Sequence, residues 1–270
     1  MKTRNVTFVC TDDPEYRAHR AYHAQANRSL RDTLDPSPLQ KLSWAMETVF
    51  RAWLAQHISL LNRRILRYEY LKRSGQYRVC FKEIDAIETA GPESDRPVRL
   101  FEMKCSTNAT SLSSAGSQLM KAIRPLRCRW RGIYRHAVLV AVLPDQMDLP
   151  EPIPPLDCGL PHSTNADPSR RITTCLDAQA LWQWGQDTGA LEAPFGLLDE
   201  AQEEAEATIE RRRQRRALKQ KGVPKSKWPE HVKPTAPEVP ETKTATYGDT
   251  TPSVSSLGAA LQDALNVTDE

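Results

Sequence analysis

The chain has 270 residues, 39% of them hydrophobic and 26% charged, with a formal net charge of +3 and a mean hydropathy of −0.58. That length holds one domain with appendages, and the polar balance implies that part of the chain is not packed. No apolar run approaches the ~20 residues that span a bilayer, the first ten residues are too short in apolar sequence for a secretory signal, and six cysteines without a C-x-x-C pair indicate neither a disulfide framework nor a zinc or iron–sulfur site. The expectation is a soluble cytoplasmic protein with reduced thiols and no membrane partner.

Asp13-Pro14-Glu15 marks a helix start, with proline where its missing N–H costs nothing, and an Arg-rich helix to about Leu34 follows. Ser37-Pro38-Leu39-Gln40 is a capping box opening a long helix. Its apolar stripe runs through Leu42, Met46, Val49, Phe50, Trp53, Leu54 and Leu61. Glu47 falls in line with Phe50 and Leu54, so its carboxylate should face the edge of the core. Three strands are expected over 67–72, 77–88 and 98–105, paired antiparallel through short turns. A helix over 113–131 and a buried strand over 137–143 follow, so the chain needs a mixed sheet with a crossover helix. Residues 144–168 contain seven prolines and should wrap the surface; 171–176 and 177–185 read as a further strand and helix. From Asp199 to Glu210 there are six acids and no base, and from Arg211 to Lys221 seven bases and no acid, a polarity that suits one helix and its macrodipole. Beyond Gly222 the composition cannot bury enough apolar area to order itself, except where Leu257, Leu261 and Leu265 form a short helical stripe.

The chemistry concentrates in Glu102-Met103-Lys104. Strand alternation puts Glu102 and Lys104 on one face at the end of an apolar strand, and Asp85 sits on the preceding strand. Two hard oxygen ligands would meet there, with Glu47 as a third; without Cys or His, such a set suits Mg²⁺ or Mn²⁺. Glu-x-Lys alone carries no weight, since Glu241-Thr242-Lys243 repeats it in the Pro/Thr-rich tail. Its context carries the weight: between Lys104 and Pro144 lie seven Lys or Arg and no acid, a stretch suited to phosphate.

Over residues 37–145 this order resembles the PD-(D/E)XK nuclease superfamily, the restriction-endonuclease-like fold. Asp85 matches the family's Asp, Glu102-Met103-Lys104 its (D/E)-X-K, and Glu47 the helix glutamate of many members; Ile84 replaces the proline of the name. Gln118 and Lys121 resemble polar residues that many members place on the second helix facing phosphate.

The resemblance implies an α/β fold: a restriction-endonuclease-like core of αβββαβ order, a mixed β-sheet flanked by helices, with a disordered C-terminal tail. The expected organisation is an N-terminal helical arm over 1–36, the nuclease-like domain over 37–198, a charged helix over 199–221 and a tail over 222–270 that ends in a short helix. The implied activity is metal-dependent phosphodiester hydrolysis of DNA, with RNA as the other substrate of the same chemistry. Asp85, Glu102, Glu47 and the Met103 carbonyl would hold the metal, and Lys104 would orient or deprotonate water. Gln118, Lys121, Arg124, Arg127, Arg129 and Arg131 would grip the backbone. The alternative is a catalytically inactive binding or assembly module that recruits a protein partner through 255–267; a homodimer is compatible with either.

Overall fold

The computed structural model describes residues 2–31, 35–160, 170–194 and 196–232, and the chain divides into two units, 1–210 and 211–270. In the first unit, helix α1 (Pro14–Arg31) opens with the Asp13 carboxylate accepting from the Tyr16 N–H at 2.9 Å. Helix α2 (Pro38–His57) starts at the capping box: the Gln40 N–H donates to Ser37 Oγ at 3.4 Å and the Ser37 N–H to Gln40 Oε1 at 3.3 Å. Its residues Leu42, Met46, Val49, Phe50, Trp53 and Leu54 are all buried. Each such side chain contributes about 1.5–3 kcal/mol, so tertiary packing fixes this helix.

Two sheets form. The first has the order β1-β2-β3, from β1 (Thr3–Val9), β2 (Ile65–Leu71) and β3 (Tyr77–Glu83), all antiparallel. The second has the order β4-β5-β6-β7, from β4 (Ala86–Thr89), β5 (Pro97–Ser106), β6 (Tyr134–Ala141) and β7 (Arg171–Asp177). Strands β4 and β5 are antiparallel, whereas β5, β6 and β7 run parallel. Helix α3 (Ser111–Leu126) makes the crossover from β5 to β6. Helices α2 and α4 (Ala178–Asp187) pack against Phe101, Met103, Val138, Val140 and Leu176, while α3 packs with Leu100, Ala137 and Leu139. The architecture is therefore α/β, with a mixed sheet flanked by helices.

Three elements differ from the sequence reading. The N-terminal arm is not helical throughout: Thr3–Val9 is strand β1, with Val6 and Phe8 buried. Its alternation is broken at Asn5, whose φ of 51° accompanies a register shift between Arg4 and Thr7, and the irregularity hides the period of two. The run 77–88 is two strands in two sheets, broken at Ile84-Asp85. Residues 222–232, expected in an unpacked tail, contain two 3₁₀ turns, with Trp228 and Val232 buried. In that second unit Trp228 Nε1 donates to the Val223 carbonyl at 3.0 Å and Arg215 Nε to the Val232 carbonyl at 2.8 Å. Helix α5 (Leu197–Gln220) corresponds to the expected charged helix. The segment 255–267, the tail from 233 onward and the α1 end near Leu34 lie outside the described residues. Among the described residues no helix is long and apolar enough to cross a membrane.

Candidate active site

The break between β3 and β4 builds the centre. At Ile84 the backbone N–H donates to the Arg64 carbonyl at 3.1 Å, keeping that residue with the first sheet. One residue on, the Asp85 side chain turns to the second sheet: the Met103 N–H of β5 donates to Asp85 Oδ2 at 2.7 Å. A carboxylate takes the role of a strand neighbour, so Asp85 is held against β5 beside Glu102.

Glu102 and Lys104 share the β5 face that looks toward α3. Lys104 Nζ donates to Glu102 Oε1 at 2.7 Å and to Gln118 Oε1 of α3 at 3.3 Å, and the Glu102 residue is only 4% exposed. Burial pushes the Asp85 carboxyl up, and repulsion from Glu102 and Glu47 adds to it; Lys104 and the Met103 N–H oppose this, and the result is about 8. Burial works to depress the Lys104 ammonium, but the charge and hydrogen bond of Glu102, with Asp85 and Glu47 behind it, outweigh burial and raise it. Asp85, Glu102, Lys104 and Glu47 thus share one electrostatic neighbourhood.

Glu47 does not point freely into it. Its Oε1 accepts from Arg64 Nη1 at 2.7 Å, and Arg64 Nη2 reaches Glu83 Oε1 at 2.8 Å. Glu83 Oε2 in turn accepts from the Tyr16 hydroxyl at 3.2 Å, which ties α1 to the same cluster. Among the described residues no three His, Cys, Asp or Glu side chains form a group that could hold a metal ion. The donors at hand are two carboxylates, Asp85 and Glu102, with the Met103 carbonyl next to Glu102 on β5. That set fits a small hard cation that keeps several waters, and a cation would relieve the repulsion that raises Asp85.

Three cations escaped the sequence reading. Lys82 on β3 is depressed by burial; Glu102 and Asp85 pull it up, and Lys121 and Lys104 push it down. Arg51, one turn beyond Glu47, is depressed by burial and by Arg64, and its buried Nε has no hydrogen-bond partner. Arg64 itself lies between α2 and β2, where no short-range pattern marks it. For Arg51 the signal was available: it continues the Glu47 face at i+4.

The expected backbone-gripping residues do not share one surface. Gln118 touches Lys104, and Lys121 and Arg124 line a groove of about 760 Å³ along α3. Arg127 and Arg131 are exposed but do not line that groove. Arg129 turns away from it: Nη1 donates to the Val6 carbonyl at 2.8 Å and its guanidinium lies 4.5 Å from the Trp130 ring centroid, so it ties the turn after α3 to β1. No family model, no curated protein and no solved structure matches this chain.

Proposed function

We propose that the chain is a divalent-metal-dependent nuclease of the restriction-endonuclease-like kind, hydrolysing phosphodiester bonds in DNA. The observation that carries the reading is the cluster of Asp85, Glu102 and Lys104, tied together by the Met103 N–H to Asp85 bond and the Lys104 to Glu102 bond, both 2.7 Å. Two adjoining buried carboxylates destabilise a fold unless something positive joins them. A Mg²⁺ or Mn²⁺ ion held by Asp85, Glu102 and the Met103 carbonyl would polarise a phosphate and acidify a bound water. The chain's own part is electrostatic. Lys104 holds its proton because Glu102 stabilises the ammonium, so Nζ can donate to a phosphate oxygen as charge develops. Gln118 Oε1 fixes that ammonium from the α3 side, and Lys121 supplies a second positive charge close by.

The test is cleavage of plasmid and linear DNA. Purified protein nicks or degrades DNA with Mg²⁺ or Mn²⁺ and stops with a chelator, and Glu102→Gln and Lys104→Met each reduce the rate by at least about 10²-fold while staying folded. A Glu102→Gln variant that cleaves like the parent would exclude this site. A parent that binds DNA in every metal and never cleaves would favour the inactive binding module.

A further inference from the structure

The groove along α3 extends beyond the two cations already named. Arg135 on β6 and Arg170 and Arg171 at the start of β7 line it together with Lys121 and Arg124, giving five positive side chains and no carboxylate. The floor is shaped for them. Gly116 sits in the middle of α3, where glycine costs about 1 kcal/mol relative to alanine, and a Cβ there would lie 2.3 Å from Arg171 Nη1. The missing side chain lets Arg171 lie across the helix, where Nη1 donates to the Leu112 carbonyl at 2.9 Å. Ser113 and Ser117, both small and exposed, keep the rest of the floor low.

The groove shares helix α3 with the catalytic cluster, and Lys121 is its lining cation nearest to Gln118 along the helix. Gln118 bonds Lys104, and Lys121 and Arg124 follow at three-residue steps. At 1.5 Å per residue, Arg124 stands about 9 Å along the helix axis from Gln118. A strand advances about 3.4 Å per nucleotide in duplex DNA, so that distance spans two to three nucleotides.

We infer that this groove is a phosphate track: it holds the backbone of the nucleic-acid strand for two to three nucleotides on one side of the bond that is cut, and Arg135, Arg170 and Arg171 are its far wall. The inference rests on the nuclease reading for its occupant. A nucleic-acid strand fits better than an acidic peptide or a membrane surface, because the groove is concave, carries five cations and no carboxylate, and lies on the same helix as the Gln118 that bonds Lys104 of the cluster proposed to act on phosphate.

The experiment uses the full chain in chelator, with anisotropy of a labelled 20-base-pair duplex followed between 50 and 200 mM salt. Arg124→Ala/Arg170→Ala should reduce the slope of log affinity on log salt by about 1.8, at about 0.9 per lost phosphate contact. Over that fourfold salt range the parent should then lose about 12-fold more affinity than the variant. Ser117→Glu, which places a carboxylate on the exposed floor, should weaken binding at every salt concentration without altering the circular dichroism. Unchanged slope in the double variant together with unchanged affinity in Ser117→Glu would overturn the track, and so would variants that lose binding of inorganic tripolyphosphate or anionic vesicles but keep that of DNA. A parent whose binding follows the expected pattern but which never cleaves with Mg²⁺ or Mn²⁺ would support the track and refute the nuclease reading.

Discussion

Replacing Asp85 by Asn should make the protein more stable and inactive. The Asn side-chain oxygen can still accept from the Met103 N–H, now bonded to Asp85 at 2.7 Å, so the link between β5 and the β3–β4 break survives. The substitution removes a buried ionisable group beside Glu102 and with it the cost of holding that group protonated. In the unfolded chain an Asp ionises near 3.8, whereas here burial and Glu102 hold it up at about 8, so the folded state must keep a proton that the unfolded state has released. Each tenfold change in protonation is worth about 1.4 kcal/mol, which makes the interval from 3.8 to neutral pH a ceiling of about 4 kcal/mol. Asn brings a buried NH₂ that needs its own partner, so the expected gain is about 2 kcal/mol. The sign with pH is fixed: a raised folded value stabilises fully below 3.8 and is lost as pH rises toward 8, so the advantage of Asn grows from pH 4 to 8. Thermal denaturation in chelator should show Asp85→Asn melting about 4–8 °C above the parent at pH 7, with the difference nearly gone at pH 4. Mg²⁺ at ten times its Kd should stabilise the parent by about 1.4 kcal/mol and leave Asp85→Asn unmoved. An Asp85→Asn protein that melts below the parent at pH 7, or gains equally from Mg²⁺, would refute the argument.

Two further outcomes follow from ionic groups other than Asp85 and Glu102. His136 is buried, with Arg99 Nη1 3.4 Å from Nδ1, Thr174 Oγ1 2.8 Å from Nε2, the Phe101 ring stacked on it and Glu88 bound to Arg99. An arginine can only donate, so Nδ1 accepts and Nε2 carries the proton. Burial first and Arg99 second push the imidazole down to about 3, so the stability it confers is present above 6.5 and lost as pH falls from 6.5 toward 3, by up to about 1.4 kcal/mol per pH unit. His19, pushed down to about 4 by burial and His23, adds in the same sense, so acid titration of His136→Gln should flatten the loss without abolishing it. Arg64→Met should cost about 1–3 kcal/mol by urea denaturation, since Glu47 and Glu83 both lose their guanidinium, while the Mg²⁺ concentration for half-maximal cleavage falls because a cation has left the cluster.

Local rules made most of the architecture legible in the sequence. The capping box at Ser37, the apolar stripe of α2 and the unbroken apolar run of β6 each rest on contacts within a few residues, and each appears close to where the pattern puts it. Leu61 is the exception on that stripe: α2 ends at His57, and the Leu61 N–H instead donates to the Ile87 carbonyl at 2.9 Å. What was illegible is what depends on distant partners. Strand β1 exists because β2, some sixty residues on, supplies its hydrogen bonds, and its bulge at Asn5 erases the alternation that would have announced it. The site divides in the same way. Asp85, Glu102 and Lys104 were visible as strand positions, but Arg64 and Lys82 become relevant only when two sheets meet, and Arg129 looked like its basic neighbours until the structure gave it the Val6 carbonyl.

The placing of Asp85 shows why the candidate chemistry and the fold cannot be separated at this point. A carboxylate is a poor strand residue, and its appearance after Ile84 ends one sheet and starts another. The same carboxylate accepts from the Met103 N–H beyond the end of the β4–β5 pairing, so the interruption leaves that N–H paired. An apolar residue at 85 would leave that donor unpaired, at about 1–3 kcal/mol, and Asp85→Ala therefore mixes a structural loss with a chemical one. Asp85→Asn separates them, because it keeps the acceptor and discards only the charge. If the aspartate were present only to accept from Met103, Asn would serve as well in every respect. Under the proposed cation site, a carboxylate raised to about 8 beside Glu102, where a neutral amide would hold the backbone at lower cost, is kept for its charge rather than for its hydrogen bond.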